Sequence, residues 1–359
     1  MDKKTAFYSL HQQNQAKIVS FAGYLMPIHY EGVTIEHMHV RNSVGVFDVS
    51  HMAQIIIKGK LSFDLVQRIT TNDVSKLYDG KVQYSCMLNY DGGIIDDLLV
   101  YRLSSEEYML VVNASNAVKN INWINSQNDM NVEVVDLTSD RGLLALQGPN
   151  TYSILQELTS INLKNIPYYT FKIGNIDDCN EVIISNTGYT GSGGFELYFD
   201  KQFAFQIWNS IFKNNDVLKP IGLAARDTLR LEMGYCLYGN DIDESRSPIE
   251  AGLSWIVSMN KEFIGKSVIQ DKLKQGVSEC LVGFILQDKG IPRKGYEIIA
   301  KNGNRIGLVT SGTISPVFKK GFGMGYVLVG ESQIGNDIYI VIRDKKIKAN
   351  IVKRPFYEK

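Results

Sequence analysis

Asp96 and Asp97 stand side by side between Ile94-Ile95 and Leu98-Leu99-Val100, inside the stretch YSCMLNYDGGIIDDLLVY that runs from Tyr84 to Tyr101. Aspartate is a poor strand former, and a carboxylate set among apolar side chains needs a partner or a shifted pKa. Strand faces alternate, so one aspartate shares a face with Ile95, Leu99 and Tyr101, the other with Ile94, Leu98 and Val100. Asp91-Gly92-Gly93 is a strong hairpin signal. A two-residue turn there places Tyr84, Cys86, Asp97, Leu99 and Tyr101 on one surface, whereas a three-residue loop would break that grouping. A carboxylate between two tyrosines can cradle a flat, basic ligand. Buried acids also occur in structural ion-pair networks, and the pattern alone does not choose between the two aspartates.

A second acid sits where strands disfavour one. Glu196 lies within Phe195-Glu196-Leu197-Tyr198-Phe199, directly after the glycine-rich GYTGSGG of Gly188 to Gly194. A carboxylate can accept two parallel N–H bonds, which suits a guanidine-like edge such as that of a pterin. The glycines do not reproduce GxGxxG, they lead into a strand, and no GxxxxGK[ST] loop occurs, so bound flavin, NAD or nucleoside triphosphate is not expected. They instead let backbone pass close to a ligand or another strand. Arg226 and Arg230 lie one helical turn apart in GLAARDTLRLEMG; Arg226, near the helix start, is a candidate anion clamp. Arg293, in the turn-rich IPRKGYEI, is a candidate carrier or anion contact.

These groups must be held by a chain of 359 residues, long enough for two or three domains and a substantial core. Lys+Arg and Asp+Glu both number 38, so no global charge favours nucleic acid or a membrane surface. No leader-like apolar segment follows the N-terminal lysines and no run of about 18 apolar residues occurs. Cys86, Cys179, Cys236 and Cys280 are scattered without a CxxC pair, which fits reduced thiols in the cytoplasm rather than a zinc site or disulfide scaffold. All five histidines fall in the first 51 residues, and His37-Met38-His39 lacks the spacing of a helical metal motif, so no metal is expected.

Periodicity places helices over Thr5 to Ile18, Gly32 to Ser43, Leu61 to Ile69, Ala117 to Asn125, Thr151 to Leu158 and Lys201 to Phe212. Strands are expected over Ala53 to Ile57, Tyr108 to Val112, Val132 to Val135, Leu143 to Leu146 and Glu181 to Ser185. Strand pairs alternating with helices, without a regular βαβ rhythm, indicate an α+β fold. After Glu279 come six short strands separated by Gly, Asn and Lys turns, the pattern of a small sandwich or barrel. The polar DKLKQGVSE, near residues 271 to 280, is the expected break before it.

FAGYLMPIHY, VGVFDVSHM, TNDVSKLYDGKVQYSCMLNYDGGIIDDLLVY, LQGP, NTGYTGSGGFE, GLAARDTLRLEMGYCLYGNDIDE, SPIEAGLSW, FIGK, IPRKGYEI and TSGTISP together resemble the aminomethyltransferase (T-protein) family of the glycine cleavage system, in order from about residue 7 to the C-terminus. The resemblance implies a three-domain, cloverleaf-like ring with two α+β domains and a small C-terminal β-barrel or sandwich. The corresponding division is 1–140, with the hairpin; 141–272, completing a folate site; and 278–359, the small β domain. It implies transfer of a one-carbon unit from the aminomethyl-dihydrolipoyl arm of a lipoylated H-protein to tetrahydrofolate as co-substrate. Neither metal, flavin, NAD, nucleic acid nor membrane is implied. By motif, Asp97 is the essential acid, Glu196 binds the pterin edge and Arg226 belongs to the folate site. Tyr84 and Tyr101 wall the pocket, Asn113 contributes polar contacts, and Tyr357 is a candidate contact in the short C-terminal tail. Asp96 is left for a structural partner. Two departures stand beside these motifs: Ser192-Gly193 where the family has Glu-Asp, and Tyr24-Leu25 where it has Trp-Glu.

Overall fold

The computed structural model describes every residue except Met1, Asn214 and Lys359. Two compact units emerge, Met1–Ser85 with Asp97–Arg226, and Cys86–Asp96 with Asp227–Lys359. Both are built from non-contiguous pieces of chain.

The first unit is organised by strands β1 (Val44–Asp48), β2 (Ala53–Lys58), β3 (Val82–Leu88), β4 (Ile94–Ser104), β5 (Glu107–Val112), β6 (Arg141–Gln147), β7 (Cys179–Ser185) and β8 (Gly194–Asp200). The hairpin-tip residues Cys86–Asp96 of β3 and β4 group with the second unit. A five-stranded sheet runs β3-β4-β5-β2 and ends on Glu133–Asp136. A six-stranded sheet runs from Phe171–Ile176 through β7, β8, β6 and β1 to Leu218–Pro220. Every residue of β1 is buried, as expected for an apolar central strand. Pro220, which has no N–H to give a ladder, lies on the edge strand. Phe7, which precedes a short helix, and Leu10 within it, with Ile207, Trp208 and Ile211 from the helix Ala204–Phe212, pack onto Val46, Leu144, Leu197 and Phe199. Burying each such side chain contributes about 1.5–3 kcal/mol.

The N-terminal segment differs from its periodicity. The helix is confined to Tyr8–Gln13, and Lys17–Phe21 is a strand antiparallel to Tyr24–His29. Gln15 sits at φ 56°, a left-handed conformation that a right-handed helix cannot run through.

In the second unit a helix, α1 (Leu223–Glu232), contributes its residues from Asp227 onward, and a further helix spans Lys266–Gln275. The expected break near residues 271 to 280 begins inside that helix, which ends on Gly276 at φ 81°. The six expected C-terminal strands close into a barrel in the order Glu279–Leu286, Gly321–Leu328, Arg305–Ile314, Glu297–Ile299, Asp337–Ile342 and Lys345–Val352, the last pairing with the first. Closure removes every sheet edge. Phe284, Ile298, Val327, Ile340 and Ile351 fill its interior.

Arg230 is one of the largest fully buried side chains. Its Nη1 donates to Asp241 Oδ2 at 2.7 Å and to the Tyr235 carbonyl, and its Nη2 donates to Ser311 Oγ at 2.8 Å. Asp241 also accepts from the Leu237 N–H and from Thr310 Oγ1 and Ser311 Oγ. Helix and barrel are therefore joined through one fully desolvated ion pair whose remaining hydrogen-bond sites are filled.

Candidate functional site

The hairpin forms where expected, with a different turn. Gly92 N–H donates to the Asn89 carbonyl and Asn89 N–H to the Gly93 carbonyl, which leaves a three-residue loop, Tyr90 to Gly92, with Gly92 at φ 76°. The Asn89 side chain sets this geometry, its Oδ1 accepting from the N–H groups of Asp91 and Gly93. The pairing argument that grouped Tyr84 with Asp97 through a two-residue turn does not hold. The two residues meet nonetheless: Tyr84 Oη donates to Asp97 Oδ2 at 2.9 Å.

Asn113 holds the other side of the same carboxylate. Its Nδ2 donates to Asp97 Oδ1 at 2.9 Å and to the Asp97 carbonyl at 3.1 Å. The strand register explains the meeting, because Leu99 pairs with Val111 and so brings Asp97 opposite Asn113. Asp97, Tyr84 and Asn113 are all half-buried, whereas Asp96 is fully buried. An acid bonded on each oxygen, yet still open to approach, is fixed in orientation and available to a ligand. Alternation along β4 thus gives the two neighbouring aspartates opposite environments.

Tyr101 does not line open space. It is fully buried, and its hydroxyl shares hydrogen bonds with Tyr198 Oη at 2.8 Å, Ser185 Oγ at 3.1 Å and Thr187 Oγ1 at 3.3 Å. Thr187 Oγ1 donates to Glu196 Oε2 at 2.5 Å, and Tyr198 Oη lies within reach of the same oxygen. Tyr101 therefore reaches Glu196 through the hydroxyls of Thr187, two residues past β7, and of Tyr198 on β8. Thr187 and Ser185 carried no signal in the sequence, since their role depends on pairing between distant strands.

Burial raises the Glu196 carboxyl above its usual range, although bonds from Thr187 and Tyr198 and the positive charge of Arg226 act in the opposite direction. A raised folded-state pKa favours the native state below the ordinary carboxylate pKa, and that contribution is lost as pH rises through the folded value. Glu196→Gln is neutral throughout and escapes the loss. Its melting temperature relative to wild type is expected to climb as pH rises above the ordinary carboxylate range; an offset independent of pH would refute this origin.

Arg226 lies with its guanidinium 4.4 Å from the centre of the Tyr189 ring. Tyr189 belongs to the glycine-rich loop, which is tied to two other elements. Arg41 Nη1 donates to the Thr190 carbonyl and to Ser192 Oγ, and Thr190 Oγ1 donates to Gln147 Oε1. Ser192 is thus occupied with a buried arginine. Gly194, at φ 136°, has no room for a side chain, since a Cβ would fall 2.1 Å from the Leu146 carbonyl oxygen. Here the glycine serves close approach of strand to strand.

Asp97, Tyr84, Asn113, Tyr101, Glu196 and Arg226 all belong to the first unit; Arg293 and Tyr357 belong to the second. Arg293 is exposed and donates to the Gly312 carbonyl, and the Tyr357 N–H donates to the Glu232 carbonyl. All four cysteines are free thiols. Among the described residues, no group of three or more His, Cys, Asp and Glu could hold a metal ion, and no helix is long and apolar enough to cross a membrane.

Comparison with known proteins covers nearly the whole chain. The GCVT N-terminal domain model matches residues 7–261, and the glycine cleavage T-protein C-terminal barrel domain model matches residues 280–358. An aminomethyltransferase of Flavobacterium psychrophilum is 52% identical over 359 residues, covering 99% of this chain and 100% of that protein. One from Bacteroides fragilis is 52% identical over 358 residues, 99% of each chain. The crystal structure of glycine cleavage system aminomethyltransferase T from Bartonella henselae is similar with a TM-score of 0.93 at 34% identity, covering 99% of this chain and 98% of that one.

Proposed function

From the premise that this chain belongs to the glycine cleavage T-protein family of aminomethyltransferases, we propose that it moves a one-carbon unit from the aminomethyl-dihydrolipoyl arm of a lipoylated H-protein to tetrahydrofolate. The products are 5,10-methylenetetrahydrofolate, ammonia and the reduced carrier. The observation that supports this reading best is the Asp97 carboxylate, bonded on one oxygen by Tyr84 and on the other by Asn113 while still half-exposed.

The transfer breaks the carbon's bonds to nitrogen and sulfur and forms two new bonds to folate nitrogens. Two N–H protons leave the folate, one ending on the departing ammonia and one on the carrier sulfur. A fixed carboxylate beside those nitrogens aligns their lone pairs on the carbon and favours the positive charge that develops as they attack. Glu196 offers the paired acceptor oxygens that a pterin's 2-amino and N3 groups require. Arg226, held over Tyr189, supplies the compensating positive charge. The residues present call for no metal, flavin or NAD in this step, and we infer a cytoplasmic enzyme.

The test supplies aminomethyl-loaded H-protein and tetrahydrofolate to the purified chain and follows ammonia and methylenetetrahydrofolate together. Equal amounts of both are expected. Binding of tetrahydrofolate without folate-dependent ammonia release would refute the reaction, and no binding would refute the folate reading.

A further inference from the structure

His51 stands on the four-residue link, Val49 to Met52, between β1 and β2. That link joins the two sheets that hold the candidate carboxylates. In the six-stranded sheet, Phe47 of β1 pairs with Ala145, which pairs with Glu196. In the five-stranded sheet, Ala53 of β2 pairs with Val112, next to the Asn113 that grips Asp97. Phe47 thus lies two strands, roughly 10 Å, from Glu196, and the start of β2 lies two strands from Asp97; His51 follows Phe47 by four residues and precedes Ala53 by two.

The imidazole is nearly sealed, at 3% exposure, and its Nδ1 is buried with no hydrogen-bond partner among the described residues. Buried polar atoms in native chains are normally satisfied, and an unsatisfied one at a site calls for an explanation. Its ring is met edge-on by Phe21, at 5.6 Å between centres, and obliquely by Tyr24, at 6.4 Å. Phe21 is itself 40% exposed, so that wall can yield to an incoming molecule. Burial depresses the imidazole to about 4, with Asp48 pulling it up and Arg226 pushing it down. The ring is neutral at ordinary pH and can accept a hydrogen bond. Sensitivity to Arg226 also ties His51 electrostatically to the residue that acts on Glu196.

We propose that His51 is a further ligand-contacting residue of the folate site, its otherwise unpaired imidazole nitrogen accepting a hydrogen bond from an N–H of the bound heterocycle. This rests on the folate reading above. A purely structural histidine would gain from replacement by phenylalanine, which keeps the ring and its aromatic contacts while removing the unpaired nitrogen.

The experiment compares tetrahydrofolate binding by calorimetry and melting temperature for wild type, His51→Phe and His51→Asn. His51→Phe is expected to melt at or above wild type yet bind about tenfold more weakly. His51→Asn, which returns an acceptor near Nδ1, is expected to recover part of the affinity. In wild type, adding tetrahydrofolate is expected to shift the ¹⁵N resonances of His51, assigned as those missing from His51→Asn. Wild-type binding matched by His51→Phe, or unmoved His51 resonances in a saturated wild-type sample, overturns this assignment alone. Weaker binding that comes with a lowered melting temperature and unmoved resonances marks a structural role and also overturns it. Failure of wild type to bind tetrahydrofolate overturns the folate reading and this assignment with it.

Discussion

Asp97→Asn is expected to lower turnover by at least ~10²-fold, the scale on which a key catalytic acid or base acts. The substitution keeps the shape of the side chain. Tyr84 can rotate its hydroxyl to accept from the new amide, and Asn113 can still donate to the remaining oxygen, so both anchoring contacts survive. What disappears is the negative charge. Tetrahydrofolate affinity should therefore change much less than kcat, because the interaction lost is one that strengthens as charge develops on the folate nitrogens. Full activity in Asp97→Asn would sink the role assigned to this residue. An equal fall in affinity and in kcat/KM, with kcat intact, would make Asp97 a binding residue only.

The largest effect on stability is expected at Asp241. Replacing it with alanine leaves the buried Arg230 guanidinium with the half-exposed Asp227 as its remaining carboxylate partner, and takes the shared acceptor from the Ser311 hydroxyl. Breaking a buried ion pair on one side costs about 3–5 kcal/mol. For a unit of this size that corresponds to a fall of roughly 6–20 °C in melting temperature, measured by calorimetry. The double replacement Arg230→Met with Asp241→Leu is expected to recover most of the loss, since apolar side chains of similar volume often substitute for a buried pair without penalty. A single variant melting within about 2 °C of wild type would show that water reaches the pair.

Much of this was legible before any coordinates. The six barrel strands announce themselves because Gly, Asn and Lys turns punctuate them, and local turn chemistry is a strong signal. Asp97 and Glu196 stand out because acids within apolar strands require a reason. Three features were not legible, each because it is settled non-locally or by one side chain. Asn89 shifts the hairpin loop through its own amide, which the Asp-Gly pattern does not encode. Gln15 interrupts an otherwise helical stretch so that Lys17–Phe21 can pair with a strand further on. Tyr101 shares a periodic face with Asp97, but the hydroxyl partners it finds on β7 and β8 come from strands distant in sequence. Alternation says which residues share a face; it does not say what covers that face.

The division of the hairpin also dictates an order of assembly. Cys86–Asp96 is buried with chain that begins at Asp227, where Ile94 N–H meets the carbonyls of Asp243 and Arg246 and Gly92 lies against Val268. On the ribosome, the first unit has all its residues once Arg226 has emerged, while the apolar hairpin tip still lacks its cover. At typical synthesis rates the remainder takes roughly ten to thirty seconds to appear. During that interval Met87, Leu88, Ile94 and Ile95 form an uncovered sticky tip on a nearly finished body. The hairpin that presents the candidate acid is thus left with an apolar tip uncovered until the chain beyond Asp227 has been made.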